Sequence, residues 1–269
     1  MNQTSLNELL AGLPLGELRY FDAVGSTNDE ALAWARKNAP DLSLIIADEQ
    51  TLGRGRLDRP WFTPPGTALA FSLILFPTPE EKPYVSRLVG LAALSVAEAV
   101  QKLGLNPQIK WPNDVLLNQR KLAGVLIEAS WVEEEIAFVV IGIGVNILKR
   151  AVPDTDILRF PGISLEGALG HPVEREPVLR DILERFIAHR PELGTDTFMN
   201  QWGAALAYRG RQVRVEMGGD QTVSGRLEGI LADGSLRLRD DNGKSVTVRF
   251  GDVRLRPFTD ILPDKANHV

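Results

Sequence analysis

Two stretches of this sequence concentrate side chains able to bind a polar, anionic substrate. Residues 50–61 read Gln50-Thr51-Leu52-Gly53-Arg54-Gly55-Arg56-Leu57-Asp58-Arg59-Pro60-Trp61. Glycines let a backbone approach a ligand closely, and the guanidiniums of Arg54, Arg56 and Arg59 offer forked donors suited to phosphate. Each arginine–phosphate bond is worth about 1.5–3 kcal/mol, enough to order a loop that is mobile when empty. By itself Gly-Arg-Gly-Arg also fits a solvated basic loop or a fragment of an RNA-binding Arg-Gly tract. The second stretch, Lys110-Trp111-Pro112-Asn113-Asp114, is followed by Lys121 on the next strand, which gathers two cations and a carboxylate near one hairpin. In isolation it reads equally as a surface lysine, a packed tryptophan and an Asn-Asp turn. Upstream of both, Ser26-Thr27-Asn28 opens a helical run, where Ser26 and Thr27 would serve as ordinary helix caps.

The signatures of other chemistries fail on particular residues. Gly243-Lys244-Ser245 ends like a phosphate-binding loop, but Leu238 stands where its first glycine belongs, so the stretch reads as a hairpin turn. Gly142-Ile143-Gly144 lacks the third glycine of a dinucleotide fingerprint, the position being Ile147. His171, His189 and His268 are far apart, and the chain has no cysteine, so no metal site built from histidine or thiolate is expected. No serine sits in a Gly-x-Ser-x-Gly elbow.

The elements that must position these groups alternate between the two periodicities. Thr27 and Glu30 stand at capping-box spacing before a helical run to Lys37. Leu42 to Ala47, and Leu69, Phe71, Leu73 and Leu75 at every second residue, predict strands on either side of the irregular arginine loop. Val85 to Leu103 predicts a long apolar helix backing a sheet, with Gly104 where a left-handed cap would sit. Val115 to Leu117 and Leu122 to Ile127 flank Asn118-Gln119-Arg120 as a hairpin, and Ile136 to Ile147 adds a strand. A loop over 151–162 precedes helical patterns at Val178 to Ala188 and Thr197 to Leu206. After Tyr208 come short alternating strands, Gln212 to Glu216, Val223 to Ile230, Ser235 to Leu238 and Ser245 to Phe250, with Gly-Gly, Asp-Gly and Asn-Gly turns. The chain therefore reads as α+β, a mixed sheet with helices in 1–207 and a small β-barrel in 208–269.

Composition bounds the rest. At 269 residues, 44% hydrophobic and 24% charged, the chain can bury a full core. The absence of cysteine fits a reducing compartment, with cytoplasm the default, and no secretory signal or membrane span is expected. A net charge of −5 argues against general attraction to nucleic acid.

Order and spacing then add to the residues themselves. Ser26-Thr27-Asn28, Gln50 with Gly53-Arg54-Gly55-Arg56, Lys110-Trp111-Pro112-Asn113-Asp114, Arg120-Lys121-Leu122-Ala123-Gly124-Val125-Leu126-Ile127-Glu128 and Gly142-Ile143-Gly144-Val145-Asn146 follow the motif order of biotin protein ligases. The resemblance spans residues 17–165 by motif, and the tail after 208 is similar to the SH3-like domain that ends these enzymes. It implies a class II aminoacyl-tRNA synthetase/biotin synthetase-like fold and a monofunctional type without an amino-terminal DNA-binding domain. The implied activity takes biotin as substrate, makes biotinyl-5'-adenylate with ATP and Mg2+, and acylates a lysine of a biotin carboxyl carrier protein. It implies Lys121, Arg54 and Asp114 as catalytic, Lys121 lying between the biotin carboxylate and the α-phosphate. Ser26, Thr27, Asn28, Gln50, Arg54, Gly55, Arg56 and Lys121 would bind biotin, and Arg54, Arg56, Trp61, Lys110, Asn113 and Asn146 the nucleotide, with magnesium held mainly by the ATP phosphates. Asp114 is left either to orient Lys121 or to accept the incoming lysine proton, and Asn146 suits a strand-end turn as well. Two departures stand out: Asp58 replaces a common glycine, and Phe160 is the nearby aromatic able to stack on adenine. Exposed sheet edges could pair with the carrier or with a second subunit. The rival readings are a lipoate or octanoate ligase of the same fold, and a nucleic-acid-binding regulator.

Overall fold

A computed structural model describes residues 1–153, 161–217 and 221–249, apart from the Asp58 side chain, and the backbone of 253–257. Among them, α1 (Gln3–Leu9), β1 (Leu18–Val24), α2 (Thr27–Ala35), β2 (Ser43–Gln50), β3 (Ala68–Leu75) and α3 (Leu88–Lys102) come first. Next are β4 (Gln108–Lys110), β5 (Asp114–Leu117), β6 (Arg120–Val132) and β7 (Glu135–Asn146), then α4 (Leu165–Leu169), α5 (Arg175–His189) and α6 (Asp196–Ala204). The strands β1 to β7 form one sheet in the order β1-β2-β3-β7-β6-β5-β4. Its β1–β2 pair is parallel and the others antiparallel, so the sheet is mixed as expected.

Local chemistry explains why these segments take these forms. Leu69, Phe71, Leu73 and Leu75 of β3 point into the main core that α3 and α5 share, whereas Ile74 on the opposite face packs with Ala31 and Trp34 of α2. The sheet is thus covered on both sides. Asn118 and Gln119 both have positive φ, the requirement of a two-residue type I′ turn, so the β5–β6 hairpin is one residue tighter than the spacing predicts and Arg120 belongs to β6. Gly104, at φ +79, ends α3 as expected. The stretch Lys82–Lys102 is long and apolar enough to cross a membrane, yet 72% of its most apolar window is buried within the protein, the mark of a core helix. One expectation fails: Ser26, not Thr27, is the N-cap of α2, and its side chain makes no capping hydrogen bond. The Thr27 hydroxyl instead donates to Gln50 Oε1. The short α1, the edge strand β1 and α4 were not foreseen, their apolar patterns being brief or broken by charge.

After residue 208 a second sheet holds β8 (Gln212–Met217), β9 (Gln221–Ile230), β10 (Leu236–Arg239), β11 (Ser245–Val248) and β12 (Val253–Pro257), antiparallel in the order β11-β10-β9-β8-β12. The fifth strand extends the four that the sequence predicts. Val213, Leu227, Leu236 and Leu238 join the same buried cluster as α3 and the large sheet, so one core runs through both. Polar contacts fix the junction. The buried Trp111 indole donates to Gly234 O at 2.8 Å, Arg87 Nε to Ala232 O at 2.8 Å, and Ser86 Oγ to Asp233 O at 3.0 Å.

Candidate active site

The outer face of β6 and β7 carries glycine where other strands carry side chains. Gly124 of β6 pairs with Gly144 of β7, and Gly142 lies two residues along on the same face. A Cβ on Gly142 would stand 2.2 Å from Asn28 Oδ1, one on Gly144 2.4 Å from the Trp61 ring, and one on Gly124 3.1 Å from Lys121 Nζ. The three glycines therefore form a floor on which an amide, an indole and an ammonium lie flat. Above it opens a cleft of about 870 Å³, bounded by the start of α2, the loop after β2 and the β4–β5 hairpin. Ser26, Thr27, Asn28, Gln50, Arg54, Gly55, Arg56, Trp61, Lys110, Asn113, Asp114 and Lys121 all line it. Asn146 borders a smaller adjoining cavity of about 70 Å³, shared with Trp61 and Lys121.

One end of the cleft is neutral and hydrogen-bonded. The Thr27 amide and hydroxyl both donate to Gln50 Oε1, at 2.9 and 3.0 Å. Ser72 Oγ, fully buried, lies 2.8 Å from the Thr27 hydroxyl and 2.6 Å from Asn28 Oδ1. The Asn28 amide donates to Glu128 Oε2 at 2.7 Å. Thr27 and Asn28 are buried at 3% exposure, which a polar side chain tolerates only when its hydrogen bonds are met.

The other end is charged, and a bulge builds it. Lys121 and Gly124 are three residues apart and would face opposite ways on a regular strand. The register shift between Val115 and Leu116 pairs Leu116 with Lys121 but Val115 with Ala123, so Leu122 is the extra residue and Lys121 turns onto the cleft side. There Lys121 Nζ meets Asp114 Oδ1 at 2.6 Å, with Lys110 Nζ 3.8 Å from Oδ2. Burial raises the Asp114 pKa, but Lys121, Lys110 and Arg56 outweigh it and hold the carboxyl below its usual range. Lys121 Nζ also lies 5.5 Å from the centre of the Trp61 ring. The Lys121 backbone accepts from Ile163 N at 2.9 Å and donates to Pro161 O at 2.8 Å, which brings 161–163 alongside β6.

Between the two ends runs the arginine loop, which folds back on itself through Gly55 N to Arg59 O at 2.7 Å and Trp61 N to Gly53 O at 2.8 Å. Its three guanidiniums do not share one fate. Arg54 makes two bonds to Asp29, at 2.6 and 2.7 Å, and reaches Glu128 at 3.2 Å. The Asp29 bonds raise the Arg54 pKa and lower that of Asp29, so this cation is already matched by carboxylates. Arg56 Nη1 instead reaches Asn113 Oδ1 at 3.4 Å, beside Asp114, while Asn113 donates to Val125 O at 2.8 Å. Asn146 donates to Ile163 O at 3.2 Å and to Lys121 O at 3.4 Å, tying the same segment. Phe160 lies outside the described residues, as does the Asp58 side chain. Among the described residues, no group of three or more His, Asp or Glu could hold a metal ion.

Several cleft residues were not singled out from sequence: Arg150, Val152 and Pro153 in the lining, and Asp29, Ser72 and Glu128 in the network beneath it. Ser72 had one available signal, a polar residue on the second face of an otherwise apolar strand.

The sequence matches the model of the biotin/lipoate A/B protein ligase family over residues 20–146, and that of the biotin protein ligase C terminal domain over 209–256. It is 36% identical to the biotin--[acetyl-CoA-carboxylase] ligase of Paracoccus denitrificans over 234 residues, covering 82% of this chain and 93% of that relative. The chain belongs to the biotin protein ligase family. It is also 34% identical to the bifunctional ligase/repressor BirA of Bacillus subtilis, across 84% of this chain and 70% of the relative. Its fold matches that of the Aquifex aeolicus biotin protein ligase in complex with biotin and ATP, with a TM-score of 0.77, 28% identity and coverage of 90% and 99% of the two chains. Biotin protein ligases make biotinyl-AMP and transfer biotin to carboxylase carrier proteins, and this chain is such a ligase, with biotin and ATP as substrates.

Proposed function

We propose that the two ends of the cleft divide the family reaction between them, the neutral end holding the biotin ring and the charged end the carboxylate and triphosphate. The observation that carries this reading is the Lys121–Asp114 pair at 2.6 Å, on the same glycine floor as the Thr27–Gln50–Asn28 network. Biotin's ureido ring is uncharged and polar, so Ser26, Thr27, Asn28, Gln50 and the backbone of residues 54–56 suit it. Its carboxylate and the α-phosphate are both anionic and approach only with cations between them. Lys121, Lys110 and Arg56 supply that charge, with Trp61, Asn113 and Asn146 toward the nucleotide and magnesium carried mainly on the phosphates.

A carboxylate oxygen attacks the α-phosphorus, the bond to the β-phosphate breaks, and pyrophosphate leaves. The carrier lysine amine then attacks the acyl carbon, AMP departs with the bond electrons, and the amine loses a proton. Asp114, held ionised by the cations around it, is a weak base, so its part is to orient Lys121. Arg54, bound by Asp29 and Glu128, acts through its backbone and by anchoring the loop. The division into a catalytic domain over 1–207 and a second over 208–269 accords with two separate sheets. The acceptor is the lysine of a biotin carboxyl carrier protein or carrier domain, reached in the cytoplasm. The outer strand β1 is a candidate edge for carrier or homodimer pairing, whereas the outer side of β4 is already bonded to residues 205–207.

The test is exchange of labelled pyrophosphate into ATP with biotin, lipoate or octanoate, beside a Lys121→Ala protein. Exchange should require biotin and fall by about 10²–10³ in the variant, the size of losing one transition-state donor. A variant that exchanges like wild type would remove Lys121 from the reaction.

A further inference from the structure

Glu128 is half-buried on β6, and its carboxylate bonds to both segments of the neutral end, the start of α2 and the arginine loop. It accepts from Asn28 Nδ2 at 2.7 Å and from Arg54 Nη2 at 3.2 and 3.3 Å. An ionised carboxylate only accepts hydrogen bonds, so it obliges the Asn28 NH2 to point toward it and the carbonyl oxygen toward Ser72 Oγ, 2.6 Å away. The same carboxylate, with Asp29, holds the Arg54 guanidinium and hence the loop turn that continues into Gly55 and Arg56. Gly142 lies directly beneath Asn28 and leaves the amide no lower seat. We infer that Glu128 is a positioning residue for biotin recognition: one carboxylate on the central sheet sets the amide orientation of Asn28 and the seat of the arginine loop together.

The inference rests on the assignment of the neutral end to biotin. In Glu128→Gln one carboxylate oxygen becomes an NH2 that must face either the Asn28 NH2 or the Arg54 guanidinium, and the negative charge that both donors meet is lost. Biotin affinity, measured by calorimetry, should fall about tenfold or more in that variant. In pyrophosphate exchange the KM for biotin should rise by the same factor and by more than the KM for ATP, with Tm close to wild type. An Asn28→Ala, Glu128→Gln double variant should lose less than the sum of the two single effects, since Glu128 acts partly through Asn28. Should Glu128→Gln not fold, Glu128→Asp, which keeps the charge but draws it back from Asn28, tests the same link and should raise the KM for biotin more than that for ATP. Unchanged biotin affinity, or equal losses for biotin and ATP accompanied by a fall in Tm, would overturn the positioning role. Absence of biotin binding by the wild-type chain would instead overturn the assignment on which it rests, and this inference with it.

Discussion

Asp114 carries its negative charge between Lys121 and Lys110, and a carboxyl whose pKa is lowered in the folded protein links stability to pH. The contribution is fully present above the unfolded value of about 3.9 and is lost as pH falls through the lower folded value. Asp29, lowered by its bonds to Arg54, acts in the same direction. Urea unfolding at pH 7 and pH 3 should therefore show a loss of stability in the wild type and a smaller loss in Asp114→Asn. An identical loss in both would mean that Asp114 has no part in it. The amino-acid types at this end announce themselves, because two lysines and an aspartate on one hairpin read as a charged site. Glu128 does not: the strand pattern gives no sign that its carboxylate serves two segments 74 and 100 residues away.

At the scale of elements, the glycine floor decides what may lie on the sheet. In Gly142→Ala the new methyl would meet Asn28 at 2.2 Å, and in Gly144→Ala it would meet Trp61 at 2.4 Å. Separate substitutions should thus separate the two substrates: the KM for biotin should rise about tenfold or more in the first, and chiefly that for ATP in the second, since tenfold corresponds to about 1.4 kcal/mol. Steady-state pyrophosphate exchange measures both, and equal effects of the two variants on both substrates would refute the division of the cleft. The strands β3 and β7 and the long α3 were legible because each runs far enough to show its period. The bulge at Leu122 was not, since Lys121 and Gly124 share a face only through the pairing with β5. Nor was β1 legible, an edge strand whose Arg19 and Asp22 interrupt its apolar residues.

Across the whole molecule, the second sheet is tied to the hairpin that borders the cleft by the buried bond from the Trp111 indole to Gly234 O. Trp111 sits between Lys110 and the turn that carries Asn113 and Asp114, so the docked turn at 232–234 supports the charged end of the cleft from behind. Trp111→Phe keeps an aromatic ring but leaves the Gly234 carbonyl unpaired. It should lower unfolding stability by about 1–3 kcal/mol, the cost of an unsatisfied buried polar group. Urea denaturation measures this, and a change under about 0.5 kcal/mol, the ordinary range of surface substitutions, would show the bond to be incidental. The sequence by itself determined the chemistry available and the order in which the chain presents it: glycine and arginine after β2, the lysine–aspartate hairpin, and the Asp-Gly and Asn-Gly turns of the second sheet. These are properties of residue type and short spacing, which a linear pattern preserves. Only the tertiary structure decided that Arg54 is met by Asp29 and Glu128, that Lys121 is met by Asp114, and that Trp111 is a joint between the two sheets. The first and last of these depend on contacts between residues 25 to 123 positions apart, and no local pattern fixes which distant partner a buried donor or charge will find.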